Sequence, residues 1–251
     1  MARDGYGFGN AVAMEWVKLR GLRSTTWVLA AGTVASIAFG VVAGYNTRNA
    51  GGDPTNNVLA GVIVGQVVLG VLGALVMTGE YSSGLIRVTL AAVPRRPLVL
   101  LAKAAVFGAT ALVAGEVTTF ASFFLGTAAL RAPVPRPSLS DPAVLRAVVL
   151  TGAYLALIGL AGLGVGAIIR HSPAAVATVV GALFVLPVLA GAVRQSGAGR
   201  LLPELIVGNS LAAVKPVPGF DWSPWLEFCV VAAYPAALLA AGCWLLIRRD
   251  A

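Results

Sequence analysis

The sequence predicts an all-α integral membrane protein with six crossing helices, and three observations carry that prediction. The chain is 58% hydrophobic and 11% charged, with a mean hydropathy of +0.88, whereas soluble domains carry about 25% charged residues. Its charges cluster in short stretches that separate apolar runs, and a run of about 20 residues is enough to cross a bilayer. None of these runs alternates with period 2, so a closed barrel, the other way to satisfy backbone polar groups in lipid, does not fit. The whole chain, 1–251, reads as a single membrane domain.

Residues 1–23 do not have the pattern of a signal peptide. Asp4 and Glu15 sit among Arg3, Lys18, Arg20 and Arg23, and no apolar core precedes a small-residue cleavage site. From Asn10, the segment NAVAMEWVKLRGLR places Val12, Trp16, Leu19 and the stem of Arg23 along one flank. Trp16 beside basic residues suits the headgroup region, which predicts an interfacial helix leading into the first span.

The spans follow from the uncharged stretches at 24–47, 54–79, 147–169, 172–193 and 228–247, with 104–130 interrupted by Glu116 alone. They place crossings at about 25–46, 57–79, 102–130, 146–169, 173–194 and 225–247. Between the second and third lies GEYSSGLIRVTLAAVPRRPLVLLAK, residues 79–103. Here Leu85, Ile86, Leu90 and Val93 recur at helical spacing, with Arg87 and Thr89 between them. That pattern predicts a short helix lying at the membrane surface, where a cytoplasmic partner can push on it. Pro94 ends it, because the residue before a proline is driven out of the α region.

Six spans put both ends of the chain on one side, and the basic residues choose the side. With the termini inside, the inner segments hold Arg3, Lys18, Arg20, Arg23, Arg87, Arg95, Arg96, Lys103, Arg170, Arg248 and Arg249. The outer ones hold Arg48, Arg131, Arg136, Arg146, Arg194, Arg200 and Lys215. The excess lies in the shorter loops, where the positive-inside rule applies best, so the termini and the 79–103 loop are expected to be cytoplasmic.

The outer loops differ. RNAGGDPTNN at 48–57 reads as a polar turn, and the proline-rich loop at 131–146 offers Ser140 and Asp141 as caps for the fourth span. The stretch GRLLPELIVGNSLAAV is apolar but too short to cross, and Pro203, Gly208 and Asn209 would break it into short re-entrant or outer pieces before the sixth span. Arg170-His171-Ser172 is so short a link that the fourth and fifth spans must be antiparallel neighbours. Gly61–Gly65 and Gly162–Gly166 have the small-xxx-small spacing of close helix packing.

No catalytic apparatus is legible. The chain has no Gly-Lys dipeptide and therefore no phosphate-binding loop of the GxxxxGK[ST] kind. Its one histidine, His171, reads as a helix-end partner. Cys229 and Cys243 lie about 21 Å apart on one helix and cannot bridge each other within it. No metal-ligand spacing appears, and the basic residues flank membrane spans rather than forming a nucleic-acid surface. Two polar side chains fall near mid-membrane, Gln66 and Glu116. A carboxylate at that depth costs on the order of 3 kcal/mol, so it should face protein or a watered cavity. Two readings stay open: a ligand or ion contact, or a neutral Glu116 hydrogen-bonded to Gln66.

The segments EWVKLRGLRSTTW, GQVVLGVLGALVMTGEYSSGLIRVTLAAVPRRPLVLLAK, GLGVGAIIRHSPAAVA and LFVLPVLA together resemble the type-2 ABC exporter permeases of actinobacteria. The most specific part is the pattern Glu80–Gly84–Arg87–Pro94–Arg96–Lys103. The resemblance implies an amphipathic N-terminal helix, six spans, a coupling helix between the second and third, and a re-entrant outer pair before the sixth. It implies a homo- or heterodimer of permeases served by two ATPase subunits, with ATP and Mg bound by those partners and no cofactor in this chain. Glu80 would match the family's acidic residue before the coupling helix, and Arg87 and Arg96 its basic ones, with Gly84, Leu85 and Leu90 completing the coupling set.

The expected function is therefore a plasma-membrane permease subunit, not itself an enzyme, that exports a hydrophobic or amphipathic substrate by alternating access. Two alternatives belong to other classes: a non-pumping membrane immunity or scaffold protein, and a proton-coupled secondary transporter using Glu116.

Overall fold

In the computed structural model, which describes residues 7–21, 23–48, 52–93, 96–194, 214 and 223–248, the regular elements are all α-helices, with no strand among the described residues. In chain order they are α1 (Phe8–Gly21), α2 (Arg23–Asn46), α3 (Pro54–Val58), α4 (Val62–Ser82), α5 (Leu85–Ala92), α6 (Arg96–Ala129), α7 (Pro142–Ile169), α8 (Ser172–Arg194) and α9 (Pro224–Arg248). Five of them, α2, α4, α6, α7 and α9, are long and apolar enough to cross a membrane. In α8 the described apolar stretch, Ser172–Val185, is shorter than a span. This is a multi-pass helical membrane protein.

Aromatic residues mark the width of the apolar belt. Trp27 and Tyr45 are exposed near the two ends of α2, and Trp225 and Trp244 near the two ends of α9. Each pair is separated by about 27–29 Å along its helix, close to the hydrocarbon thickness of about 30 Å. Amphipathic rings favour those two levels.

Helix α7 is the hub, packed on α4, α6, α8 and α9. In its most apolar stretch 67% of residues are buried, against 22% in α2 and in α9, which face outward. Glycines make the close contacts possible. A Cβ on Gly73 of α4 would land on the Gly159 carbonyl of α7, and one on Gly162 would land on the Gly70 carbonyl. The Gly162–Gly166 pair thus lies on the α4 contact, where Gly166 faces the Ala74 carbonyl. Gly61 likewise lies against the Ser36 carbonyl of α2. Backbones approach here as in other small-residue membrane interfaces.

Several boundaries differ from the sequence expectation. The third span is expected from about residue 102, but α6 begins at Arg96 and runs 34 residues. At about 51 Å it exceeds the hydrocarbon core, so its first turns project beyond it. The 48–57 loop is more than a polar turn: Asp53 accepts hydrogen bonds from the Thr55 and Asn56 amides and caps α3, whose Thr55 and Val58 are buried. Of the two candidate caps for the fourth span, Asp141 serves, accepting from the Ala143 amide at 2.9 Å with Pro142 at the first helical position.

The link between α7 and α8 is the tight one expected. Arg170 ends α7 in the left-handed region at φ 61, a conformation uncommon outside glycine. Its amide donates to the Gly166 carbonyl at 2.9 Å, and its side chain donates to the Leu245 carbonyl of α9 at 3.2 Å while lying over the Tyr81 ring. Arg96 donates to the neighbouring Leu246 carbonyl at 3.0 Å. One end of the bundle thus gathers α1, the α4–α5–α6 turn, the α7–α8 link and the end of α9. The expected re-entrant segment with Pro203, Gly208 and Asn209 lies outside the described residues, as do Pro94 and Arg95.

Candidate functional site

At that gathered end, four ionisable side chains from three helices close into a ring. Helix α1 supplies Glu15 and Lys18, three residues apart and so on one face; the last turn of α4 supplies Glu80, and the second turn of α6 supplies Lys103. The Lys18 ammonium donates to Glu15 Oε1 at 2.9 Å and to Glu80 Oε1 at 2.8 Å. The Lys103 ammonium donates to Glu15 Oε2 at 2.5 Å and to Glu80 Oε1 at 2.8 Å. Each lysine bridges both carboxylates, and the ring carries no net charge. The third Lys18 hydrogen bond goes to Thr89 Oγ1 at 2.9 Å, which ties in α5.

Three of the four side chains are almost fully buried: Glu15 and Lys103 are each 3% exposed and Glu80 7%. Charges are buried at such depth when paired and hydrogen-bonded, and here each lysine meets both carboxylates. Lys18 is the one at the rim, its side chain 28% exposed. Burial pulls its ammonium down, but hydrogen bonds and charge from Glu80 and Glu15 outweigh that and hold it above the ordinary lysine value.

The bundle-facing side of α1 is therefore Ala11 and Glu15, while Trp16, on the flank shared with Val12 and Leu19, is exposed. Helix α5 is likewise two-sided. Its buried side is Ile86 and Thr89, continued by Val93 beyond the helix, whereas Leu85 and Val88 are 50% and 67% exposed. Arg87 is exposed and Leu90 part-buried. Gly84 precedes the helix at φ 71 with open space around it, so its glycine serves backbone conformation rather than close approach. Val93 is extended, as the residue before a proline should be.

The six residues expected to couple to a partner thus fall into two groups. Glu80 and Arg96 are bonded into the bundle; Gly84, Leu85 and Arg87 lie on its surface, with Leu90 between. Three ring residues lie outside that set: in the sequence Lys18 and Lys103 count among the basic residues that decide topology, Lys103 also closes the pattern that begins at Glu80, and Glu15 only argues against a signal peptide. A signal was available: the chain has three lysines against fifteen arginines, and two of the three form this ring. The three donors of an ammonium let Lys18 reach both carboxylates and the Thr89 hydroxyl at once.

The mid-membrane pair does not form. Gln66 accepts a 2.7 Å hydrogen bond from the hydroxyl of Tyr154 on α7. Glu116 instead rests against Gly152, where a Cβ would sit 2.7 Å from its carboxyl carbon, and its buried Oε2 has no hydrogen-bond partner among the described residues. Both residues meet α7, Gln66 at Tyr154 and Glu116 at Gly152, and not each other.

Beside the charged ring lies a cavity of about 520 Å³ between α1, α2, α4 and α6, with Glu15, Lys18, Glu80 and Lys103 at its polar end. Among the described residues, no group of three or more His, Cys, Asp and Glu side chains could hold a metal ion.

No protein-family model matches the chain, and no curated protein matches it either. What the fold and the site define is a class: a multi-pass helical membrane protein with a neutral, buried charge junction joining its N-terminal helix to a short surface helix.

Proposed function

We propose that this chain is the permease subunit of an ATP-driven exporter, with a separate ATPase docking on α5. In this reading α8 completes six crossings and both termini are cytoplasmic. Two permeases enclose the path of a hydrophobic or amphipathic substrate, and two ATPase subunits bind the ATP and Mg. The observation that carries it is α5, a short helix with Leu85, Arg87 and Val88 turned outward and Thr89 bonded from behind to Lys18. A push on such a helix has somewhere to go. Ile86 and Val93 press on the bundle, while Lys18 passes displacement to α1, α4 and α6 through the ring. Paired charges between rigid helices transmit such motion as a unit.

The test is affinity purification of the tagged chain from its native membranes, followed by ATP hydrolysis on what co-purifies. Leu85→Asp places a charge in the docking face, and Gly84→Pro forces a φ near −65° where the chain needs 71. Each should remove the co-purifying ATPase while leaving helical content unchanged. Undiminished association in both variants rules the docking role out.

A second reading, proton-coupled transport, is supported by the buried Glu116 carboxyl oxygen that has no partner among the described residues. It requires that transport collapse with the proton gradient and that Glu116→Gln fold normally but fail to transport.

A further inference from the structure

The cavity beside the ring has a polar end, a deep apolar wall and a side opening. Its deep wall is Leu72 of α4 with Val106 and Phe107 of α6, residues that are 5%, 6% and 2% exposed. Its mouth is lined by Val28 of α2 and Leu75 of α4, both more than 40% exposed on apolar helices long enough to cross the membrane. The opening therefore faces lipid. At the polar end the rim carries the exposed hydroxyl residues Ser24 and Ser83, at the level where the basic ends of the helices emerge. Leu72 lies two turns deeper than Glu80, about 12 Å further into the bundle.

An apolar space of this size is within the range of ligand cavities, and water gains little there because a buried water needs two to four polar partners. The surrounding solvent supplies another occupant of the right chemistry: a hydrocarbon chain continuous with the bilayer. We infer that the cavity between α1, α2, α4 and α6 holds one acyl chain of a bilayer phospholipid, its end against Leu72 and Phe107 and its head at the Ser24–Ser83 rim. This inference depends on membrane placement and not on the ATPase reading. The acyl chain fills the apolar space under the ring and keeps water from the inner faces of Glu15, Glu80 and Lys103.

The test uses the full chain reconstituted in phosphatidylcholine vesicles whose lipid carries a diazirine near the end of one acyl chain. Irradiation and peptide mapping should place adducts on Leu72 and Phe107 as well as on freely exposed residues such as Val34. Val76→Trp, which fills the cavity, and Val28→Trp, which blocks its mouth without touching the core, should each abolish the deep adducts and leave those on Val34. Adducts confined to the exposed surface in the unmodified chain overturn the inference. So do deep adducts that persist in both variants. A photoreactive amino acid at position 76 that captures a second polypeptide, with no deep lipid adduct, would overturn it in favour of a protein occupant.

Discussion

Helix α6 carries Lys103 and Glu116, about 20 Å apart along its axis, and the bundle treats the two in opposite ways. Lys103 is 3% exposed and held between two carboxylates from α1 and α4. Glu116 is part-buried, lies against a glycine, and leaves one oxygen without a partner among the described residues. The difference is not depth alone. At Lys103, α1 and α4 converge on α6 and bring two carboxylates within bonding distance; near Glu116 the neighbour is the bare backbone of α7. Full burial accompanies charges whose partners arrive from other helices, and an ionisable group without such partners stays at the edge of the bundle.

Removing the central cation should break this contrast most strongly. Lys103→Met fills similar volume but leaves Glu15 and Glu80 sharing Lys18 alone, and breaking a buried pair in this way costs about 3–5 kcal/mol. Thermal unfolding in detergent should show the largest drop of any single ring variant. If stability is unchanged, the ring is not what holds α1 to the bundle.

Lys18→Met should cost less, about 1.5–3 kcal/mol for hydrogen bonds to charged groups, because its side chain is 28% exposed. Its pH signature is separate. The Lys18 pKa is raised above the ordinary 10.5 in the folded chain. Its contribution to stability is therefore complete below pH 10.5 and is lost as pH climbs through the raised value. Unfolding followed between pH 9 and pH 12 should show an alkaline decline that is smaller in Lys18→Met; equal declines would mean that Lys18 does not carry it.

The smallest effects belong to mid-bundle. Tyr154→Phe removes the bond to Gln66 and should cost about 0.6 kcal/mol, the average for interhelical hydrogen bonds in membranes. Glu116→Leu should cost nothing or stabilise, because its Oε2 has no partner to lose among the described residues, and a double variant with Gln66→Leu should be additive. Coupling between positions 66 and 116 would show that the two side chains meet after all.

The placement of the apolar helices was legible because it follows from counting residues between charges. The convergence of the ring was not. Glu15 and Lys103 are 88 residues apart in sequence, Lys18 and Glu80 62 apart, and no local pattern announces a contact across such distances. Charge counting also places the start of the third span at about residue 102, beside Lys103, on the assumption that a lysine marks the water side; with two carboxylates waiting, the helix begins at Arg96 and takes the lysine inside. Gln66 and Glu116 were matched by depth, which a sequence does give, but pairing also needs the direction around the helix. Tyr154, which donates to Gln66, lies in an apolar run where no local pattern marks it.

The central position of α7 also bears on how the chain is made. Synthesis runs from the N-terminus, so α2, α4 and α6 enter the bilayer before residues 142–169 exist. Until then, the glycine notches at Gly73 and Gly115 have no α7 backbone to receive. The α4–α7 and α6–α7 contacts can therefore form only once this late segment emerges, whereas α2 can pack on α4 and α6 beforehand. Nascent chains truncated before residue 142 should stay open to cysteine labelling at Leu69→Cys, a buried α4 position that a smaller side chain fits, and chains extended past residue 169 should be protected. Equal labelling in the two would mean that the first three crossings find another arrangement of their own.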